Sequence, residues 1–235
     1  MSDPRPRARL SIREVESDRD PAFRAAHALL RRTFPRAELL SRREWADVMR
    51  ERNEGLWTDL NWHLLVASRQ DQVVGTASGS YVGNRNVGMV GYIAVRPAER
   101  GRGVGQRLRR ALHDAFDEDA SRVHGKRLTA IIGEVRPDNP WLRHIVRHNG
   151  AIALDFPYYQ PSVAWLRRPV PLVLYYQPLG EARRSLATTE VRRLVYTIWR
   201  RVYRVGKPLS SRVFRHMMRA LTGRQRVGQL ELPAP

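Results

Sequence analysis

The chain has 235 residues, no cysteine, and a formal net charge of +19 at neutral pH, carried almost wholly by arginine. Without cysteine there is no disulfide, no thiol nucleophile and no Cys-based metal site, and the length suits one domain, or one domain with an appendage. No apolar run approaches the roughly 20 residues that span a bilayer, and Met1–Leu10 lacks the apolar core of a signal peptide, so the expected location is the cytoplasm.

Residues 1–8 read as a flexible arm and Leu10–Glu16 as a first strand. Phe23, Ala26, Leu29, Leu30 and Phe34 recur at helical spacing up to Pro35. A second helix is expected over Ala37–Arg50, with Leu39, Leu40, Trp45 and Met49 on its apolar face. Strands follow at Trp62–Ser68 and Gln72–Val82, joined through Asp71. A polar turn at Asn84–Asn86 leads to a strand at Gly88–Val95. The period then changes: Val104, Leu108, Leu112, Ala115 and Phe116 mark a helix. Leu128–Val135 reads as a buried strand. Asn139-Pro140 opens a helix that Gly150 closes. Further strands fit Ala151–Tyr159 and Leu172–Tyr176, with Pro169 and Pro171 just ahead of the last one. The pattern is a mixed α/β fold (α+β, mixed sheet) with at least one strand-helix-strand crossover.

The informative stretch runs Gly91-Tyr-Ile-Ala-Val-Arg-Pro-Ala-Glu-Arg-Gly-Arg-Gly-Val-Gly-Gln106. A strand ends, a Gly-rich loop follows, and a helix begins near Gly103. Helix N-termini present unpaired N–H groups and a partial positive charge, which suits phosphate. Arg100, Arg102, Arg107, Arg109 and Arg110 crowd that end of the helix, where cations oppose the dipole. They are either a solvated basic face or the partners of a bound anion. The spacing fits neither the dinucleotide G-x-G-x-x-G nor a phosphate loop ending in G-K-[ST].

Arg100-Gly101-Arg102-Gly103-Val104-Gly105 matches Q/R-x-x-G-x-G/A. With the strand before it and the amphipathic helix after it, the sequence resembles the GNAT superfamily of N-acetyltransferases over residues 9–179. The resemblance implies a GNAT-like acyl-CoA fold and acetyl-CoA as cofactor. It implies that Gly101, Arg102, Gly103, Val104, Gly105 and Gln106, with Arg100, hold the CoA pyrophosphate. Ile93, Ala94 and Val95 would pair with the pantetheine arm in a slot between Tyr92–Arg96 and Ile131–Val135. Asn139 stands where the family's cofactor-contacting Asn is found, and equally reads as a simple helix cap. The implied reaction is direct attack of an amine on the thioester, which needs a base, an acid and an oxyanion donor such as a backbone N–H of Ile93–Val95.

One departure concerns the acid. The family often has a Tyr about seven residues after the Asn, and here that place is Val146. Tyr158 and Tyr159 are the substitutes within reach. Glu134 is the candidate base, near the end of an apolar strand beside the slot, or else the partner of one of the many arginines. His144 and His148 lie one helical turn apart without a third ligand, and no metal is expected.

Residues 180–235 read as a basic helical extension. Val191, Leu194, Val195, Ile198, Trp199, Val202 and Val205 form one apolar stripe. Val213, Phe214, Met217, Met218 and Leu221 form another. The stripes are expected to dock on the domain or to form a homodimer. A non-catalytic binding module, using the basic charge to hold nucleic acid or an anionic membrane, is the competing reading. The acceptor is expected to be a small-molecule or peptide amine.

Overall fold

A computed structural model describes residues 9–161 and 168–232. The expected arm at residues 1–8 lies outside this range. Ser11–Glu14 forms β1 on a sheet edge. Helix α1 covers Pro21–Thr33; the Asp20 carboxylate accepts the Ala22 N–H at 2.8 Å, and a proline sits in the first turn. Helix α2 covers Arg42–Asn53, five residues later at its start than the apolar spacing suggested. Its start is fixed by a reciprocal cap: Glu44 N–H donates to Ser41 Oγ (3.2 Å) and Ser41 N–H to Glu44 Oε2 (2.7 Å). Glu38 is therefore left on the connecting segment.

Strands β2 (Leu60–Arg69), β3 (Gln72–Val82) and β4 (Val87–Val95) form an antiparallel meander. Helix α3, Val104–His124, then crosses over to β5, Ala130–Val135, which runs parallel to β4. Helix α4, Pro140–Asn149, keeps the expected bounds, with Asn139 as cap and Gly150 at φ +64. The single strand expected over Ala151–Tyr159 is split into β6 (Ile152–Ala153) and β7 (Tyr158–Gln160), with Pro157, which has no N–H to give a ladder, in the break. Both lie along one edge of β8, Val170–Pro178. Pro171 sits inside β8, opposite Tyr159, rather than ahead of the strand. The β5 pairing stops at Val173, so Pro171 has a strand neighbour on one side only, where a missing N–H is tolerated. The sheet order is β1-β2-β3-β4-β5-β8-β6.

One face of the sheet carries α3 and α4 through Leu108, Leu112, Phe116, Leu142 and Ile145. The other face carries two separate helical layers. Helices α1 and α2 cover Trp62, Leu64 and Val66 with Phe23, Leu30 and Trp45. The second layer comes from the C-terminal segment: β9 (Leu186–Ala187), α5 (Thr188–Thr197), α6 (Arg212–Ala220) and β10 (Arg226–Val227), the two strands pairing with each other. Val191, Leu194, Val195, Trp199, Phe214 and Met217 pack on Met89, Ile132 and Leu174. The apolar stripes are thus buried within the same chain, and Leu230 N–H donates to Ala153 O at 2.7 Å to tie the end down. Burying two such stripes, at roughly 25 cal/mol per Å² of apolar surface, is reason enough for the helices to dock here. Between the two layers, above the middle of the sheet, a seam remains.

Candidate active site

The loop after β4 is built from backbone. Gly101 and Gly103 sit at φ +72 and +74, and a Cβ at either would meet no atom within 4 Å. Glycine is favoured there by conformation, since the left-handed region costs an L-residue roughly 1–2 kcal/mol. Gly103 is the residue before α3, and no side chain caps that helix. The first N–H groups of α3 consequently face outward without an intrahelical partner. Arg100 Nε is tied to Val95 O at 3.2 Å, and Arg102 reaches Glu99 at 3.4 Å. The helix start at Arg100–Gln106 is basic, largely exposed and uncapped, with the free N–H groups and the open approach that a pyrophosphate requires.

Strands β4 and β5 separate as expected, but later along β5. Ala130–Gly133 pair with Val87–Val90, so Ile131 and Ile132 do not border the slot. The register of β4 against β3 shifts between Ser78 and Gly79, leaving Gly91 as an extra residue. Beyond this bulge, Gly91–Val95 has no partner on the β5 side. The opening thus lies between Gly91–Val95 and Glu134–Val135, with Ile93, Ala94 and Val95 on its β4 wall. Asn139 caps α4 through its carboxamide oxygen, which accepts the Trp141 N–H at 3.0 Å. Its NH2 group is not used by the cap and remains a donor.

Glu134 projects from β5 into the seam between the two helical layers. Both of its carboxylate oxygens are held: Tyr158 donates to Oε1 and Tyr203 to Oε2. Burial pushes the carboxyl up to about 7, against the lowering effect of the two hydroxyls; the nearby Glu38 carboxylate adds to the rise. No cation is paired with it among the described residues. Burial and the Glu134 charge hold the Tyr158 and Tyr203 hydroxyls well above the usual phenol range. Tyr203 lines the cavity in the seam, together with Glu134, Tyr92 and Gly91. Tyr158 is 1% exposed and stands behind Glu134 rather than on the cavity wall. Tyr159, one residue on, turns away from Glu134. Its ring lies against His216 at 6.1 Å and its carbonyl accepts the Trp199 indole N–H at 3.2 Å. The structure therefore brings Glu134 and Tyr158 together and leaves Tyr159 outside.

Tyr203 was not foreseen. It follows a widened turn at Ile198–Val202, where Tyr203 N–H reaches back to Ile198 O at 3.0 Å. The sequence marked the neighbouring apolar positions and passed over a tyrosine in a basic tail. His144 and His148 are exposed; His144 stacks on Trp141, and His148 lies tilted against His144.

The sequence matches the family model described as the acetyltransferase (GNAT) family over residues 23–145, more than half the chain. The chain belongs to the GNAT acetyltransferase family. It is an acyl-CoA-dependent N-acetyltransferase, and acetyl-CoA is its acyl donor. Solved structures share the fold at low identity. One from Bacteroides thetaiotaomicron, assigned to the GNAT family, superposes with a TM-score of 0.58 at 18% identity, covering 83% of this chain and 99% of its own. The ribosomal-protein-S18-alanine N-acetyltransferase from Escherichia coli gives 0.51 at 17%, over 74% and 97%. A GNAT phosphinothricin acetyltransferase from Sinorhizobium meliloti, solved with AcCoA, gives 0.50 at 18%, over 74% and 90%. No curated protein matches the sequence. The family match ends at Ile145, short of both tyrosines that hold Glu134.

Proposed function

We propose that Arg100–Gln106 holds the CoA pyrophosphate and that the seam cavity receives the acceptor amine, with Glu134 as general base and Tyr203 as the proton donor beside it. The observation that carries this reading is the buried Glu134, cation-free, on the cavity wall, with a phenol hydrogen-bonded to each oxygen. Acetyl-CoA supplies the activated acetyl thioester. The chain supplies a backbone cradle for its phosphates through Gly101–Gln106, and a strand edge at Ile93–Val95 for its arm. Asn139 offers its NH2 group from the start of α4.

Glu134 takes the proton that the acceptor nitrogen must shed. While Glu134 is ionised, Tyr203 spends its hydrogen on Oε2. Once Glu134 is protonated that bond is no longer required, and as the C–N bond to the acceptor forms and the C–S bond of the thioester breaks, Tyr203 Oη would give its proton to the leaving sulfur and recover one from Glu134. The net movement is one proton across the cavity, with both groups restored. Tyr158 acts from behind, fixing the carboxylate orientation. A general base contributes about 10²–10⁴-fold. The test is Glu134→Gln, with kcat/KM followed against pH. The wild type should rise through about pH 7 as Glu134 ionises. The variant should lose roughly 10²-fold or more and that limb of the profile, with acetyl-CoA affinity intact. A variant with wild-type rates across the range would remove Glu134 from the chemistry.

A further inference from the structure

The seam cavity states what kind of amine it takes, and this inference rests on the reading of the cavity as the acceptor site. It measures about 100 Å³, smaller than the ~150 Å³ cavity that accommodates benzene in another protein. Its walls are apolar: Phe34, Trp45, Val48, Trp62, Met89 and Leu172. A tail buried against them gains with each CH₂ removed from water, whereas a charge left there without a partner is strongly penalised.

Charged residues also reach the lining, and nearly all are already matched. Arg201 holds Asp59 by two bonds, at 2.5 and 2.9 Å. Arg204 holds Glu51 by two, at 2.7 and 2.8 Å. Arg52 is bonded to Glu14, and Glu38 meets Arg136 at 3.3 Å. Among the described residues, no guanidinium on the wall is left without a carboxylate partner. On the acidic side, among the described residues, Glu134 alone lacks a cation, so this part of the wall offers one ammonium site. Ser78 supports the same point. It is 1% exposed, its Oγ lies 3.8 Å from where a Gly91 Cβ would stand, and that oxygen has no partner. It is a neutral acceptor in the lining of the same cavity as Glu134. The other unpartnered buried polar atom on the wall, Trp45 Nε1, is neutral.

We propose that the acceptor is a small monoamine with an uncharged, largely apolar tail, on the scale of isoamylamine, its ammonium held between Glu134 and Ser78 Oγ. Polyamines, free amino acids and peptide N-termini are poor acceptors: the first needs a second free carboxylate, the second a free cation, and the third partners for its amide groups along an apolar wall. The overall charge of the chain, which argues against a cationic acceptor, does not govern this site, because the cavity arginines are each spent on a carboxylate.

The test uses the full chain and a near-isosteric series: isoamylamine, leucine (the same skeleton with a carboxylate), cadaverine (a second ammonium) and a Leu-Gly-Gly peptide. Thiol release from acetyl-CoA is measured, with acetyl-CoA binding titrated on the same sample. The expected result is a kcat/KM for isoamylamine about tenfold or more above each of the others, the scale set by burying one unmatched charge. In addition, Arg204→Ala frees Glu51 at the rim. It should raise the cadaverine-to-isoamylamine ratio about fivefold, as one partly exposed ion pair allows. Equal or better turnover of leucine, cadaverine or the peptide overturns the inference, as does acetyl-CoA binding with no turnover of isoamylamine. A folded sample that does not bind acetyl-CoA takes down the function proposed above as well, so the two failures are told apart.

Discussion

The glycine loop proposed to hold the CoA phosphates and the cavity proposed to take the acceptor are built in opposite ways. The loop is contiguous, exposed and made of backbone: two left-handed glycines and an uncapped helix start. The cavity is half-enclosed, made largely of side chains, and collected from widely separated stretches of chain, among them those of Trp45, Ser78, Glu134 and Tyr203. The contrast teaches that a phosphate needs only N–H groups and space, which a short motif can encode. An amine that must be deprotonated needs a low-dielectric pocket, which only tertiary assembly can make.

Breaking the loop should give the largest effect. Gly103→Glu places a carboxylate where the phosphate belongs and forces a side chain onto φ +74. Acetyl-CoA affinity by calorimetry should fall by about 10²-fold or more, the scale of two to three kcal/mol of lost anion contact, while thermal unfolding shows a folded protein. Retained affinity would mean the phosphates bind elsewhere.

Tyr203→Phe sharpens the other half of the comparison. It should lower kcat by about 10- to 100-fold, at the lower end of general-acid contributions, and leave acetyl-CoA affinity unchanged. Tyr158→Phe, behind Glu134, should cost less in kcat. Equal losses for the two would mean that the side of Glu134 facing the cavity has no special role.

The smallest effect probes the cavity wall. Arg52 is bonded to Glu14, and Glu14 accepts from His63 at 2.9 Å; the other His63 nitrogen meets Asp119 at 2.8 Å. Burial opposes the His63 charge, but the two carboxylates outweigh it and raise the imidazole to about 9. A histidine raised in the folded state stabilises fully below its unfolded value near 6.5, and that stability is lost as pH rises through 9. The melting temperature should therefore fall between about pH 7 and 9, and this slope should flatten in His63→Gln. Acceptor KM should rise modestly, with acetyl-CoA affinity untouched. A pH-independent melting temperature over that range would show that the network carries no charge.

Much of the fold was readable because periodicity reports burial. The crossover through α3, the α4 caps and the bounds of β3 follow directly from apolar spacing and from Asn139-Pro140 and Gly150. The start of α2 was misplaced because Leu39 and Leu40 extend the apolar pattern, although the Ser41/Glu44 capping box was there to be read. Pro157 likewise signalled the break between β6 and β7. In the site, Glu134 was legible as a carboxylate in an apolar strand. The choice between Tyr158 and Tyr159 was not, since neighbours in a strand face opposite ways and only register decides which. Tyr203 had no local signal at all, because its partner lies 69 residues earlier.

That separation has a consequence in time. A protein emerges from the ribosome N-terminus first, so the sheet, the glycine loop and Glu134 are all made before Tyr203. A nascent chain that stops short of Tyr203 already carries the glycine loop and Glu134, but it lacks Tyr203 and the helix α6 that packs with α5 over Met89, Ile132 and Leu174. The order of synthesis thus makes the cavity the last part of the molecule to be closed, well after the glycine loop has been made.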